Sequence, residues 1–311
     1  MLFFFNTPPS SEPILPSLSI LAVLPSAGTT AAVQATVLGL VGIAILLRFR
    51  QRLRGTTLSA AWCWALVSVC CIAATTVLLA TTLHDSPAKL RQALYFAAAM
   101  TSFCPLMAVL GAKRPQHRAW QWIVLALWVV LTLPSGEWLL FNRGGEIHAA
   151  RSWFLAILIG LGAINYLPTR FRLASMLFAA GELILVGPYL PGSSSAAPPL
   201  PHVALGWLVA ALAAATWLTP RRARGSEPLD CVWRDFRDLF GMVWAMRVTE
   251  RLNFIADQNR WPVRLRWAGF QEVNPDVKVP LSADQRGQIS KNLRSLLLPF
   301  VSAEWLAERL P

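Results

Sequence analysis

The chain has 311 residues, of which 55% are hydrophobic and only 14% are charged, and it carries a net charge of +12. Soluble domains average about 25% charged residues, so this chain lacks the polar surface that a water-soluble fold of its size needs. The positive charge sits largely in short gaps between apolar stretches, where it sets membrane topology; with no binding motif present, no nucleic-acid partner is expected.

Residues 1–26 are Pro-rich and contain no lysine or arginine. A secretory signal peptide opens on a basic stretch, so the expectation is an uncleaved outer segment. Pro16 and Pro25 make residues 14–24 a poor spanning helix.

Seven apolar stretches follow, over residues 27–47, 59–83, 92–110, 119–133, 152–167, 173–190 and 203–218. Each approaches the roughly 20 residues that cross a bilayer as a helix. Pro134 interrupts the fourth, and residues 137–141 either complete the span or dip back as an interfacial piece. No paired discontinuous helices are evident.

The gaps alternate in charge. Arg48, Arg50, Arg52 and Arg54 follow the first stretch; Lys113, Arg114 and Arg118 follow the third; Arg170 and Arg172 the fifth; Arg221, Arg222 and Arg224 the seventh. Other gaps carry few or balanced charges, and 191–201 carry none. The positive-inside rule then places the N-terminus outside and the tail in the cytoplasm.

From Leu229 the pattern turns amphipathic. Val232, Phe236, Phe240, Val243, Trp244 and Leu252 recur at three- and four-residue steps, which predicts one long helix with an apolar stripe. Val263, Leu265 and Trp267 alternate with Arg264 and Arg266, as in a short strand or extended segment. Asn274–Asp276 reads as a turn. Ser282 and Gln285 form a capping box for a helix that Pro299 stops, and Ser302 caps a last short helix.

The fold expected is therefore an all-α integral membrane protein. It divides into a Pro-rich outer N-terminal segment (1–26), a bundle of about seven transmembrane helices (27–218) and a small, mainly helical cytoplasmic C-terminal domain (219–311). The location expected is the plasma membrane, of the bacterial inner-membrane type.

Glu182 is the one ionisable residue near the middle of a predicted span. A buried carboxylate costs several kcal/mol unless protonated or paired. It is either a proton or cation site, with Asn165, Tyr166, Thr75 or Thr76 as polar company, or a protonated group that only holds helices together. His84, His148 and His202 map to the outer face, where convergence would give a metal or haem site. No spacing motif supports that convergence, and no cofactor is expected.

The apolar stripe needs a cover: the tail itself, the inner membrane surface or a protein partner. Small residues line one face of the first helix (Ala31, Ala35, Gly39) and of the seventh (Gly206, Ala210, Ala214), as in internal packing or a homodimer. The five cysteines include no C-x-x-C pair, so no disulfide framework is expected. Nucleophile elbows, P-loops and dinucleotide fingerprints do not occur. The leading expectation is a scaffold, assembly or sensory subunit that docks a partner through its tail rather than an enzyme. A carrier built on Glu182 comes second, and an outer-face metal or haem protein third.

Overall fold

The structure, a computed structural model, describes residues 27–141, 148–193, 200–218, 227–274 and 281–310. In chain order the elements are α1 (Ala27–Arg50), α2 (Ser59–Thr81), α3 (Ala88–Met100), a 3-10 turn at Thr101–Phe103, α4 (Cys104–Leu110) and α5 (Trp120–Leu140). Then come α6 (Ala149–Tyr166), α7 (Arg172–Val186), α8 (Pro201–Trp217), α9 (Pro228–Gln258), β1 (Val263–Arg266), β2 (Gly269–Glu272), α10 (Ala283–Leu297) and α11 (Ala303–Ala307).

Five helical segments are long and apolar enough to cross a membrane: Gly28–Leu53, Ser59–Thr81, Ala88–Leu110, Trp120–Leu140 and Ala149–Tyr166. The sixth and seventh expected spans are shorter: α7 has 15 residues and α8 has 17. At 1.5 Å per residue they reach roughly 22 and 26 Å, against a hydrocarbon thickness of about 30 Å. Both are held inside the bundle, α7 against α8 and α8 against α1.

The outward faces are apolar. Val37, Leu40, Val130, Ile157 and Leu183 are each at least half exposed. A continuous surface of this kind suits lipid, not water. Trp122, Trp153 and Trp217 stand exposed near helix ends, at the headgroup level that indole rings prefer. Trp138, on the same helix as Trp122, is instead buried against Phe96 and Tyr189.

Close packing explains the small residues of α1. A Cβ on Gly39 would lie 2.8 Å from the Ala73 Cβ, so α1 and α2 approach as near as a glycine permits. Ala35 is fully buried on the same face. On α8, Gly206 faces Leu38 of α1.

Pro134 neither ends nor reverses α5, which runs on to Leu140. The next residue, Ser135, donates to the Ala93 carbonyl at 3.0 Å and ties this turn to α3. The third span, expected as one helix, is broken. Pro105 has no N–H to offer the Thr101 carbonyl, so the chain tightens into a 3-10 turn in which the Cys104 N–H makes that bond.

The tail helix is also not continuous. Gly241 sits at φ +77°, ψ −177°, and α9 kinks there. Beyond α9, β1 and β2 pair antiparallel in the register Val263↔Glu272 to Arg266↔Gly269. Asn253 serves the other side of β1, accepting from the Leu265 N–H at 2.8 Å and donating to its carbonyl at 3.0 Å. Ser282 and Gln285 make both bonds of the capping box on α10, and Ser302 accepts from the Trp305 N–H on α11. The turn expected at 274–276 lies largely outside the described residues, as do residues 1–26.

One aromatic cluster centres the tail. Phe300 meets Phe236, Phe240 and Trp244 edge-on at centroid distances of 5.3, 5.4 and 4.8 Å. Its carbonyl accepts from both the N–H and the hydroxyl of Thr57, which lies between α1 and α2. The ring and backbone of Phe300 thus join the tail core to the bundle. Replacing it, Phe300→Ala, is expected to cost about 3–5 kcal/mol through the cavity left behind, read as a lower melting temperature and earlier proteolysis of the tail in detergent.

Candidate functional site

Glu182 is 1% exposed, on the face of α7 that looks toward the broken third span. Ser102, in the 3-10 turn, holds its hydroxyl 3.0 Å from Glu182 Oε2 and 2.6 Å from the Ala99 carbonyl oxygen. The Ser102 hydroxyl thus lies within reach of two acceptors, its own helix carbonyl and the Glu182 carboxyl. Glu182 Oε1 has no hydrogen-bond partner. Thr101, beside Ser102, contacts the Ser68 hydroxyl of α2 at 3.4 Å. The two neighbouring hydroxyls of the turn thus serve different helices, Thr101 meeting α2 and Ser102 meeting α7.

Ser68, Thr101 and Ser102 were not anticipated from sequence. The available signal was a proline inside a predicted span with Thr and Ser four and three residues before it, but sequence alone does not aim those hydroxyls at α7. Thr76, one of the expected companions, bonds back to its own helix at the Ile72 carbonyl.

Asn165 and Tyr166 turn elsewhere, to the kink in α9. In an unbroken helix the Val243 N–H would donate to the Leu239 carbonyl. With that bond lost at Gly241, the Val243 N–H donates to Asn165 Oδ1 at 3.0 Å, and the Leu239 carbonyl accepts from the Tyr166 hydroxyl at 3.2 Å. Two consecutive residues at the end of α6 thus supply both partners of one missing helical bond. The fit requires glycine: a Cβ at 241 would lie 2.3 Å from Asn165 Nδ2, and φ is positive.

The stripe expected to face a partner or the membrane surface is covered by the chain itself. Val232, Phe236 and Phe240 are fully buried, Trp244 and Leu252 nearly so, and Val243 is half-buried. The cover comes from α10, α11 and the strands, and from Leu58 and Ala61 of the bundle with Ala108 and Val109 of α4. The Trp244 indole donates to the Val109 carbonyl at 3.0 Å.

Charge reinforces this seat. Asp238, 2% exposed, lies 2.7 Å from Arg237 and 3.4 Å from Arg170 Nε, the latter too poorly aligned for a hydrogen bond. Arg170 also reaches Asp235 at 3.3 Å, and Arg309 approaches the other oxygen of Asp235. The remaining basic connections meet the tail through backbone: the Arg114 N–H bonds the Pro299 carbonyl, and the Gly55 carbonyl accepts from Ser302. His117, on the connection with Arg114 and Arg118, is held below the ordinary imidazole range by burial and by those two arginines.

The outer histidines have separate tasks. His84 pairs with Asp85 at 2.9 Å, both exposed. His148 is the N-cap of α6, its Nδ1 accepting from the Ala150 N–H. His202 lies in the first turn of α8. Among the described residues no three His, Cys, Asp or Glu side chains group to hold a metal ion. On the same side Glu137 and Arg151 form a two-pronged ion pair at 3.2 and 3.3 Å; residues 142–147 between them lie outside the described residues.

Two substitutions measure the seat of the tail. Tyr166→Phe leaves the Leu239 carbonyl without a donor and is expected to cost about 1–3 kcal/mol. Asp238→Ala takes the carboxylate from the largely buried Arg237, leaving it the Trp267 carbonyl, and is expected to cost about 3–5 kcal/mol. Both are read as thermal destabilisation of the solubilised protein, the second the larger.

No protein-family model matches the chain, and neither a curated protein nor a solved structure matches it significantly.

Proposed function

We propose that this chain is a seven-span protein of a bacterial-type inner membrane, with residues 1–26 outside and 219–311 forming a cytoplasmic domain seated on the arginine-rich end of the bundle. Its functional centre is Glu182, which takes up and releases a proton or small cation at the break in the third span. The observation that carries this reading is the geometry of the carboxyl: fully enclosed, held through one oxygen by Ser102, with its other oxygen unpartnered beside an interrupted helix. Ionisable groups at membrane depth are costly and are found chiefly at functional sites, and a 3-10 turn inside a span is a place where a helix can flex. The orientation is supported by the positive-inside pattern together with the tail's bonds to Gly55, Arg114 and Arg170.

The test is ion movement in sealed vesicles containing the full chain and an internal pH dye. Wild-type protein is expected to dissipate an imposed proton or cation gradient, with the rate falling to background in Glu182→Gln and partly in Ser102→Ala. Equal rates in wild type and Glu182→Gln, or no movement by the wild type, would reject the reading.

A second reading is a scaffold or assembly subunit. Its expected docking stripe is covered, but Met246 and Phe254 remain 59% and 57% exposed on α9 and would be the residues that meet a partner. Crosslinking in native membranes tests it: a stoichiometric partner retained by wild type and lost in Met246→Ser/Phe254→Ser favours a docking subunit, and the chain recovered alone in both forms counts against it.

A further inference from the structure

Between α4, α5, α6 and α9, at the arginine-rich end, lies a cavity of about 490 Å³. α5 packs on α3 and α4, while α6 packs on α7 and α9, and the cavity lies between these two groups. Its walls are of two kinds. Leu106, Leu110 and Leu161 give it an apolar flank, and Leu161 is 51% exposed, at the margin between the cavity and the lipid-facing surface. Lys113, Arg247 and Asn165 line its polar part.

Lys113, Arg247, Asn165 and Gln116, which also lines the cavity, all carry donor groups. Lys113 and Arg247 form no ion pair among the described residues. The Arg247 guanidinium is positioned by stacking 5.0 Å above the Trp244 ring. Asn165 is 1% exposed, and its amide orientation is set by the bond that Oδ1 accepts from Val243. Its Nδ2 is thereby left without an acceptor. The Asn165 amide is packed against Gly241, so the two cations give the cavity its character, and they call for a ligand that is negatively charged and rich in acceptors. The leucine flank and the margin on the lipid-facing surface call for one that also carries a hydrocarbon chain.

We propose that this cavity binds an anionic phospholipid of the surrounding membrane. The phosphodiester oxygens face Lys113 and Arg247, and an acyl chain runs along Leu106, Leu110 and Leu161. Trp120, which lines the cavity at the start of α5, stands at the headgroup level where tryptophan is favoured. The site shares the membrane placement of the reading above but uses none of the groups around Glu182.

The test is native mass spectrometry of the full-length protein in detergent, titrated separately with phosphatidylglycerol, phosphatidylcholine and inorganic phosphate. Phosphatidylglycerol is expected to bind more tightly than phosphatidylcholine. The double variant Lys113→Gln/Arg247→Gln is expected to lower its affinity roughly twenty-fivefold, from about fivefold per cation, while leaving phosphatidylcholine binding unchanged. Lys113→Arg/Arg247→Lys should keep the preference, which separates charge from folding. Glu182→Gln should also keep it, so the two proposals fail independently. Equal affinity for the two lipids, a preference that survives the double glutamine change, or inorganic phosphate binding as tightly as the lipid would each overturn the assignment.

Discussion

The helical hydrogen bond that α9 gives up between Val243 and Leu239 is the constraint around which the two parts of this chain are joined. A buried backbone N–H and carbonyl left unpaired would each be costly. Here both are answered from outside the helix, by the side chains of Asn165 and Tyr166 at the end of α6. The exchange is possible only because residue 241 is glycine, which accepts φ +77° and leaves room for the Asn165 amide. The kink therefore belongs to α6 as much as to α9: neither the break nor the dipeptide is satisfied without the other. Around this splice the apolar stripe closes on Phe300 and on the ends of α2 and α4.

Arginine at this end of the bundle acts in two ways. In sequence, clustered positive charge in alternate gaps sets which side of a membrane each loop occupies. In the folded chain the same residues are structural partners. Arg170 reaches Asp235 and comes within 3.4 Å of Asp238, and Arg52 donates to the Thr216 carbonyl in the last turn of α8, where helix carbonyls carry partial negative charge. A buried pair such as Asp238 with Arg237 adds little net stability over an apolar substitute, yet removing one member is costly because the other remains buried. The network thus fixes where the tail sits more than how strongly it is held. Lys113 and Arg247, which carry no such pair among the described residues, remain available to a ligand.

The centre of the bundle follows a different logic. Pro105 breaks the third span because it lacks an N–H, and the turn that repairs the break exposes Thr101 and Ser102 to neighbouring helices. Glu182 on α7 finds its partner there. A carboxyl enclosed by apolar helices is tolerable when a hydroxyl meets it, and the unpartnered Oε1 leaves room for a second acquaintance, proton or cation. The 3-10 turn and the buried acid are adjacent, joined through Ser102.

Apolar runs with arginine clusters in alternate gaps announce a membrane protein and its basic end directly, because the bilayer acts on length and charge that are read one residue after another. Local chemistry was equally legible at the capping box of Ser282 and Gln285, the cap at Ser302 and the stop at Pro299, since each depends on neighbours within a turn. Glu182 stood out because a lone acid in an apolar run is visible without a fold. Its partner Ser102 did not, because 80 positions separate them and only packing aims one at the other. For the same reason Asn165 and Tyr166, expected near Glu182, proved to serve α9. The amphipathic stripe showed that a cover was needed, but which surface supplies it was decided by the kink at Gly241 and by Phe300. Periodicity records which face of a helix avoids water; only the tertiary structure, which pairs distant groups one by one, decides what that face meets.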